Sequence, residues 1–215
     1  MTEKAKPCLI SCSVLKNELK KLVENGDLDV RLVFVSKYFH VDFSLIEKNL
    51  RQIIQQNKPV SPQGIILVYG DLCLGANNEM KKLAEEYDLV KVDALNCVDC
   101  LLGGKGKISE VDPNHELMVY SPGMVDFFEH VRKKAREEGI DEETLKGLFG
   151  GLKGIVLLDT LGELDENTRK IEDMNTGLTI LETRTVGLEN LKKVILEAME
   201  RNRQKKVRST KLNKG

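Results

Sequence analysis

Four of the five cysteines follow short apolar runs. Cys12 closes the run that begins at Cys8, Cys73 follows Ile65 to Tyr69, and Cys97 and Cys100 follow Leu89 to Val92. Parallel strands deliver their C-terminal ends to one edge of a sheet, and ligands of open α/β sheets bind in the crevice beyond that edge. The spacing therefore predicts that Cys12, Cys73 and Cys97 meet at one site. Clustered thiolates suit a soft metal such as zinc, or an iron–sulfur cluster. Cys100 stands in a Cys-x-x-Cys with Cys97 and is a candidate fourth ligand or redox partner. Cys8, inside its run, reads as a small core residue, and the same bland reading is the alternative for the others.

Cys12 and Ser13 lie where the first strand turns toward a helix, whose free N–H groups favour a thiolate. His40, in Tyr38-Phe-His-Val41, falls on the same expected sheet edge and can supply a nitrogen ligand or carry a proton. Asp71 and Asp99 flank the cysteines as candidate hydrogen-bond acceptors or bases. His115 and His130 read as surface residues. Gly103-Gly-Lys-Gly106 looks superficially like a phosphate loop but lacks the Walker spacing, and no Ser or Thr follows its lysine.

These residues need elements to carry them. Apolar runs recur at 9–12, 32–35, 65–69, 89–92, 117–120, 155–158 and 178–181, each too short for a buried helix. Strands apolar on both faces belong to parallel sheets covered on both sides. One-sided helical stripes lie between several of them: Leu15, Leu19 and Leu22; Ile46, Leu50 and Ile54, with Ser44 and Glu47 spaced as a capping box; Met80 and Leu83; Phe127, Phe128 and Val131; and Leu188 to Met199. The fold class that follows is α/β, a mainly parallel Rossmann-like sheet of about seven strands flanked by helices. One continuous sheet in a single domain over residues 1–200 is the expectation, with 130–154 as an insertion or hinge. Residues 201–215 carry seven Lys or Arg and no acid, and read as a disordered basic tail.

A chain of 215 residues is long enough to bury a substantial core, and its net charge of −1 offers no general field for nucleic acid. No apolar run approaches the roughly 20 residues that cross a bilayer, and the first residues lack the apolar core of a secretory signal. A cytoplasmic protein is expected. In a reducing cytosol five cysteines point to metal ligands, reactive thiols or core residues before disulfides.

Four segments together resemble the family DUF1638, an uncharacterised prokaryotic family common in anaerobes and methanogenic archaea. They are Ile10-Ser-Cys-Ser-Val-Leu-Lys-Asn-Glu18, Leu67-Val-Tyr-Gly-Asp-Leu-Cys-Leu-Gly75, the segment from Cys97 to Gly103, and Ser121-Pro-Gly123. The resemblance extends to about Asp159. It implies a cysteine in the first strand–helix turn, one in a Tyr-Gly-x-Cys-Gly type loop and one ahead of Leu-Leu-Gly, which are Cys12, Cys73 and Cys97. Cys100 falls where the family tends to have an apolar residue. Leu95-Asn96 stands in place of a His-Asp pair, and Asp71 lengthens the Tyr-Gly loop by one residue. The resemblance also implies a setting in anaerobic one-carbon metabolism, with a protein partner there and corrinoid as a remote further cofactor. Three functions follow as expectations: a metal or iron–sulfur protein; a zinc-thiolate or corrinoid-linked methyltransferase or its accessory; and a non-catalytic interaction module whose cysteines are core. The residues do not decide between enzyme and binding protein.

Overall fold

The computed structural model describes residues 5–147 and 149–212, the side chains of 209–212 excepted. Seven strands form two parallel sheets. β1 (Cys8–Cys12), β2 (Arg31–Val35), β3 (Ile65–Val68) and β4 (Val90–Lys91) pair in the order β2-β1-β3-β4. β5 (Leu117–Tyr120), β6 (Gly154–Asp159) and β7 (Ile180–Thr185) pair in the order β5-β6-β7. The helices are α1 (Lys16–Glu24), α2 (Phe43–Asn57), α3 (Glu79–Glu86), α4 (Cys97–Leu102), α5 (Ile108–Val111), α6 (Pro122–Glu137), α7 (Glu142–Gly147), α8 (Leu164–Met174) and α9 (Glu189–Leu212), with 3-10 turns at Ser13–Leu15 and Lys37–Val41.

The expected α/β class and strand number hold, but the single continuous sheet does not. β4 is only two residues long, and its open edge is covered by α9, whose Arg201 donates to the Lys91 carbonyl at 2.8 Å. An edge closed in this way cannot receive another strand. The two sheets still share one hydrophobic core, because Val119, Val156 and Leu158 pack into the cluster built on β1 and β3. A smaller cluster, with Tyr120, Val125, Ile155, Leu157 and Ile171, fills the other face of the second sheet. Polar contacts reinforce the junction: Thr160 donates to the buried Glu18 carboxyl at 2.9 Å, and Lys37 Nζ reaches the Gly123 carbonyl at 3.1 Å.

Helix faces follow the apolar stripes: Ile46, Leu50 and Ile54 are fully buried under α2 and Met80 and Leu83 under α3. The start of α2 differs from the capping box expected at Ser44, since Asp42 is the cap and accepts from Ser44 N–H at 2.8 Å. β7 begins two residues later than its apolar run, because it is an edge strand whose Leu181, Glu182 and Thr183 are exposed. The stretch 130–154 holds the end of α6 and all of α7, which the buried Arg132 ties together by donating to Glu142 at 2.6 Å.

The basic segment from Arg201 onward is not a detached tail. Its charge misleads, because Leu191, Val194, Ile195 and Ala198 are buried at helical spacing and Asn202 continues the same face. α9 therefore runs on to Leu212, Asn202 donates to the Gln63 carbonyl at 2.9 Å, and Lys205 pairs with Asp88. Residues 213–215 lie outside the described structure. Replacing Asn202 with Ala is expected to lower stability by about 1 kcal/mol, the usual worth of one such hydrogen bond. Chemical denaturation of the variant checks this, and an unchanged midpoint would show that α9 holds without it. Among the described residues no helix is long and apolar enough to cross a membrane.

Candidate functional site

The order β2-β1-β3-β4 means that the chain steps outward from β1 to β2 and then crosses back to β3. The reversal leaves a crevice at the C-terminal ends of β1 and β3, the place where open α/β sheets take ligands. Here it holds a cavity of about 150 Å³ lined by Cys12, His40, Tyr69, Cys73, Asn96 and Cys97 among others. The three cysteines expected to converge thus share one cavity, and His40 joins them.

Each side chain has a local reason for its place. Cys12 ends β1 and caps the 3-10 turn that follows, its Sγ accepting from Val14 N–H at 3.4 Å. Ser13 Oγ accepts from Lys37 N–H at 2.8 Å, which fixes the turn after β2 against the end of β1. That bond brings His40 Nε2 to 3.3 Å from Cys12 Sγ. Beyond β3 the chain stays laced to the loop after β4, with Asp71 N–H on the Ala94 carbonyl and Leu72 N–H on that of Leu95, both at 2.9 Å. Gly70 permits this approach: a Cβ there would sit 2.2 Å from the Leu95 oxygen. A tight turn, closed by Cys73 N–H on the Gly70 carbonyl, then presents Cys73. Cys97 opens α4, whose cap Asn96 accepts from Asp99 N–H at 3.0 Å. The Cys97 sulfur rests 3.9 Å from that of Met124 on α6.

Three candidates fall away from the cavity. Cys100 is buried in the core from α4 and does not line it, although its thiol lies within electrostatic reach of those of Cys73 and Cys97. Asp71 turns to Lys91 at 2.7 Å, Lys105 at 2.9 Å and Lys81 at 3.5 Å. Burial would raise its carboxyl, but the Lys105 and Lys91 ammoniums hold it down to about 2, so it stays ionised and is no proton donor. Asp99 is fully buried and accepts from the N–H groups of Leu95, Gly106 and Ile108, which folds the Gly103–Gly106 loop around its own carboxylate rather than around a phosphate. Cys8 lies in the core as expected. His115 is exposed, and the partly buried His130 packs on the Tyr38 ring.

The electrostatics reverse one expectation. The turn N–H of Val14 favours the Cys12 thiolate, but burial outweighs it and pushes the thiol up to about 12. Burial also lifts Cys73 to about 11 and Cys97 well above the ordinary range, and it lowers His40. At neutral pH the cavity therefore holds neutral thiols and a neutral imidazole. Among the described residues, no group of three or more His, Cys, Asp or Glu side chains is arranged to hold a metal ion as it stands.

Tyr69 is the cavity residue that the sequence reading passed over. It ends the β3 run, is 2% exposed, and its hydroxyl has no hydrogen-bond partner in the protein. Burial raises its phenol, and proximity to Cys12 and Cys73 adds to that rise. A tyrosine closing an apolar strand next to glycine was the available signal.

A family model of unknown function matches residues 34–195 of the 215-residue chain. The chain belongs to DUF1638. The match runs past Asp159, the extent of the resemblance read from the sequence, and takes in His40, Tyr69, Cys73 and Cys97, while Cys12 lies ahead of it. No curated protein and no solved structure matches the chain. For this DUF1638 protein, any functional reading therefore rests on the cavity itself.

Proposed function

We propose that this DUF1638 protein binds a soft metal ion or an iron–sulfur cluster through Cys12, Cys73 and Cys97. One observation carries the reading: each of the four strands of the first sheet delivers one donor, Cys12, His40, Cys73 and Cys97 in turn, to the same cavity. Sulfur donors select soft metals. His40, 3.3 Å from Cys12 Sγ, would donate to the Cys12 thiolate and hold its orientation. Three thiolates leave one position open to an outside ligand.

Ligation must displace protons from thiols that burial keeps neutral. The thiols lie above neutral pH, so raising the pH toward them lowers the cost of ionisation and strengthens binding. If three protons leave, zinc affinity should rise about a thousandfold per pH unit between pH 6.5 and 7.5. Competition with a chelator, corrected for the chelator's own protonation, measures the slope. A slope below one proton would mean that the thiols are not the ligands.

Purification without oxygen, followed by metal and acid-labile sulfide analysis, tests the reading directly. Brown protein with sulfide indicates a cluster, and colourless protein with zinc a mononuclear site. The zinc outcome would favour a thiolate that accepts alkyl groups, the methyl-transfer alternative, for which the Cys12–His40 contact is the supporting geometry. Protein that carries no metal, and takes up none when reduced and challenged with zinc or iron, would overturn the proposal in favour of core cysteines.

A further inference from the structure

α9 presents a second stripe beside the one that anchors it. Leu191, Ile195, Ala198 and Asn202 are buried against the rest of the chain. Leu196, Glu200, Arg203 and Val207 instead border a groove of about 490 Å³, which Pro7 and Gln63, the residues just ahead of β1 and β3, place at the N-terminal edge of the first sheet. That edge is opposite the cysteine cavity. Leu196 is 42% exposed and Val207 51%, so a large apolar side chain stands in water at each end of the stripe. The steps between its four residues are four, three and four, the spacing of a coiled-coil seam that keeps one helix face toward a second helix. Between the apolar ends lie Glu200 and Arg203, which pair with each other within the chain at 2.8 and 2.9 Å.

We infer that this face is the interface of a two-fold dimer, in which the α9 seams of two copies of this chain pack antiparallel. The order of residue types along the seam selects the occupant. Antiparallel pairing centred between Glu200 and Arg203 sets Leu196 against Val207 of the second copy and Glu200 against Arg203 of the second copy, and the two-fold axis repeats both contacts. Parallel pairing would set Glu200 against Glu200 and Arg203 against Arg203, with like charges opposed at the middle of the seam. A wholly apolar partner helix would leave both charges without a counterpart. The seam is therefore complementary to itself, and in one orientation. From Leu196 to Val207 the helix rises only about 16 Å, short of a standard interface, so the dimer is weak and depends on concentration. It leaves the cysteine cavity of each copy open at the other sheet edge and is independent of what that cavity binds.

Sedimentation velocity on the full chain, over a range of concentrations, should show a monomer–dimer equilibrium. Glu200→Arg and Arg203→Glu each oppose like charges twice across the axis, and each should weaken the dimer about tenfold or more. The chain carrying both exchanges should dimerise as wild type does. An equimolar mixture of the two single variants is the sharpest arm. One then brings two cations to the seam and the other two carboxylates, so a heterodimer satisfies both contacts and association should return. Each single variant loses the Glu200–Arg203 pair within its own helix whether mixed or not, so recovery on mixing can come only from contact between copies. Both positions lie away from the buried face that anchors α9, and the variants should keep the wild-type melting temperature within a few degrees. Wild type that stays monomeric up to about 1 mM, the weak end of protein association, would overturn the inference and leave the groove to another occupant. So would single variants that dimerise like wild type, or a mixture that stays monomeric where wild type does not.

Discussion

Replacing Cys12, Cys73 or Cys97 with serine, one at a time, will strip metal from protein purified without oxygen, while Cys8→Ser and Cys100→Ser will retain it. A hydroxyl is a hard, weakly acidic donor and a poor substitute for thiolate toward a soft metal. Binding at a structural zinc site is worth about 10–16 kcal/mol spread over its ligands, so losing one of three thiolates costs roughly 3–5 kcal/mol, or hundreds to thousands in affinity. Cys8 and Cys100 serve as stringent controls because both are buried, at 0% and 1% exposure, and neither lines the cavity. Their serine variants place a hydroxyl in the core and should lose stability while keeping metal per folded molecule. Metal content and thermal midpoint measured on the same samples separate the two effects. Equal metal loss in all five variants would attribute it to general destabilisation and remove the case for a three-cysteine site.

The cavity was legible where the sequence carried both the residue and the element that aims it. Cys12 and Cys73 follow runs buried on both faces, which is the mark of interior parallel strands, and Cys97 follows the shorter, half-buried run of the edge strand β4, so their common edge could be inferred from the strand pattern. His40 follows the run of β2 and was expected on the same edge, but its contact with Cys12 was not legible. What brings it to Cys12 is the Ser13–Lys37 bond between two turns, a contact that no periodicity reveals. Asp71 looked like a site acid because glycine and cysteine flank it, and the lysines that neutralise it come from α3, β4 and the loop after α4. Cys100 illustrates how weak a lone Cys-x-x-Cys is. Both thiols stand in the first turns of a short helix, yet only Cys97 lines the cavity. The division into two sheets was hidden for a related reason, since a helix sealing the edge of β4 is a tertiary event. Asn202 extends the stripe of Leu191, Ile195 and Ala198, a spacing signal that the strongly basic composition around it masks.

A methyl group at position 70 will disable both the fold and the site. In Gly70→Ala the new Cβ would lie 2.2 Å from the Leu95 oxygen and 2.3 Å from the Asn96 nitrogen, and both are backbone atoms with no side-chain freedom to yield. Relief requires the loop after β3 to part from the loop after β4, breaking the Asp71–Ala94 and Leu72–Leu95 hydrogen bonds that lace them. Overpacking of this severity, with the lost hydrogen bonds added, costs about 3 kcal/mol or more. In a chain of this size that lowers the melting temperature by about 10 °C. Asn96 and Cys97 sit on the displaced loop, so metal content should fall even at temperatures where the variant stays folded. Gly147→Ala, where a Cβ would meet nothing within 4 Å, provides the neutral comparison. A Gly70→Ala protein that melts with wild type would mean the two loops can separate freely. Cys97 would then lack the fixed position that a preassembled site at this sheet edge requires.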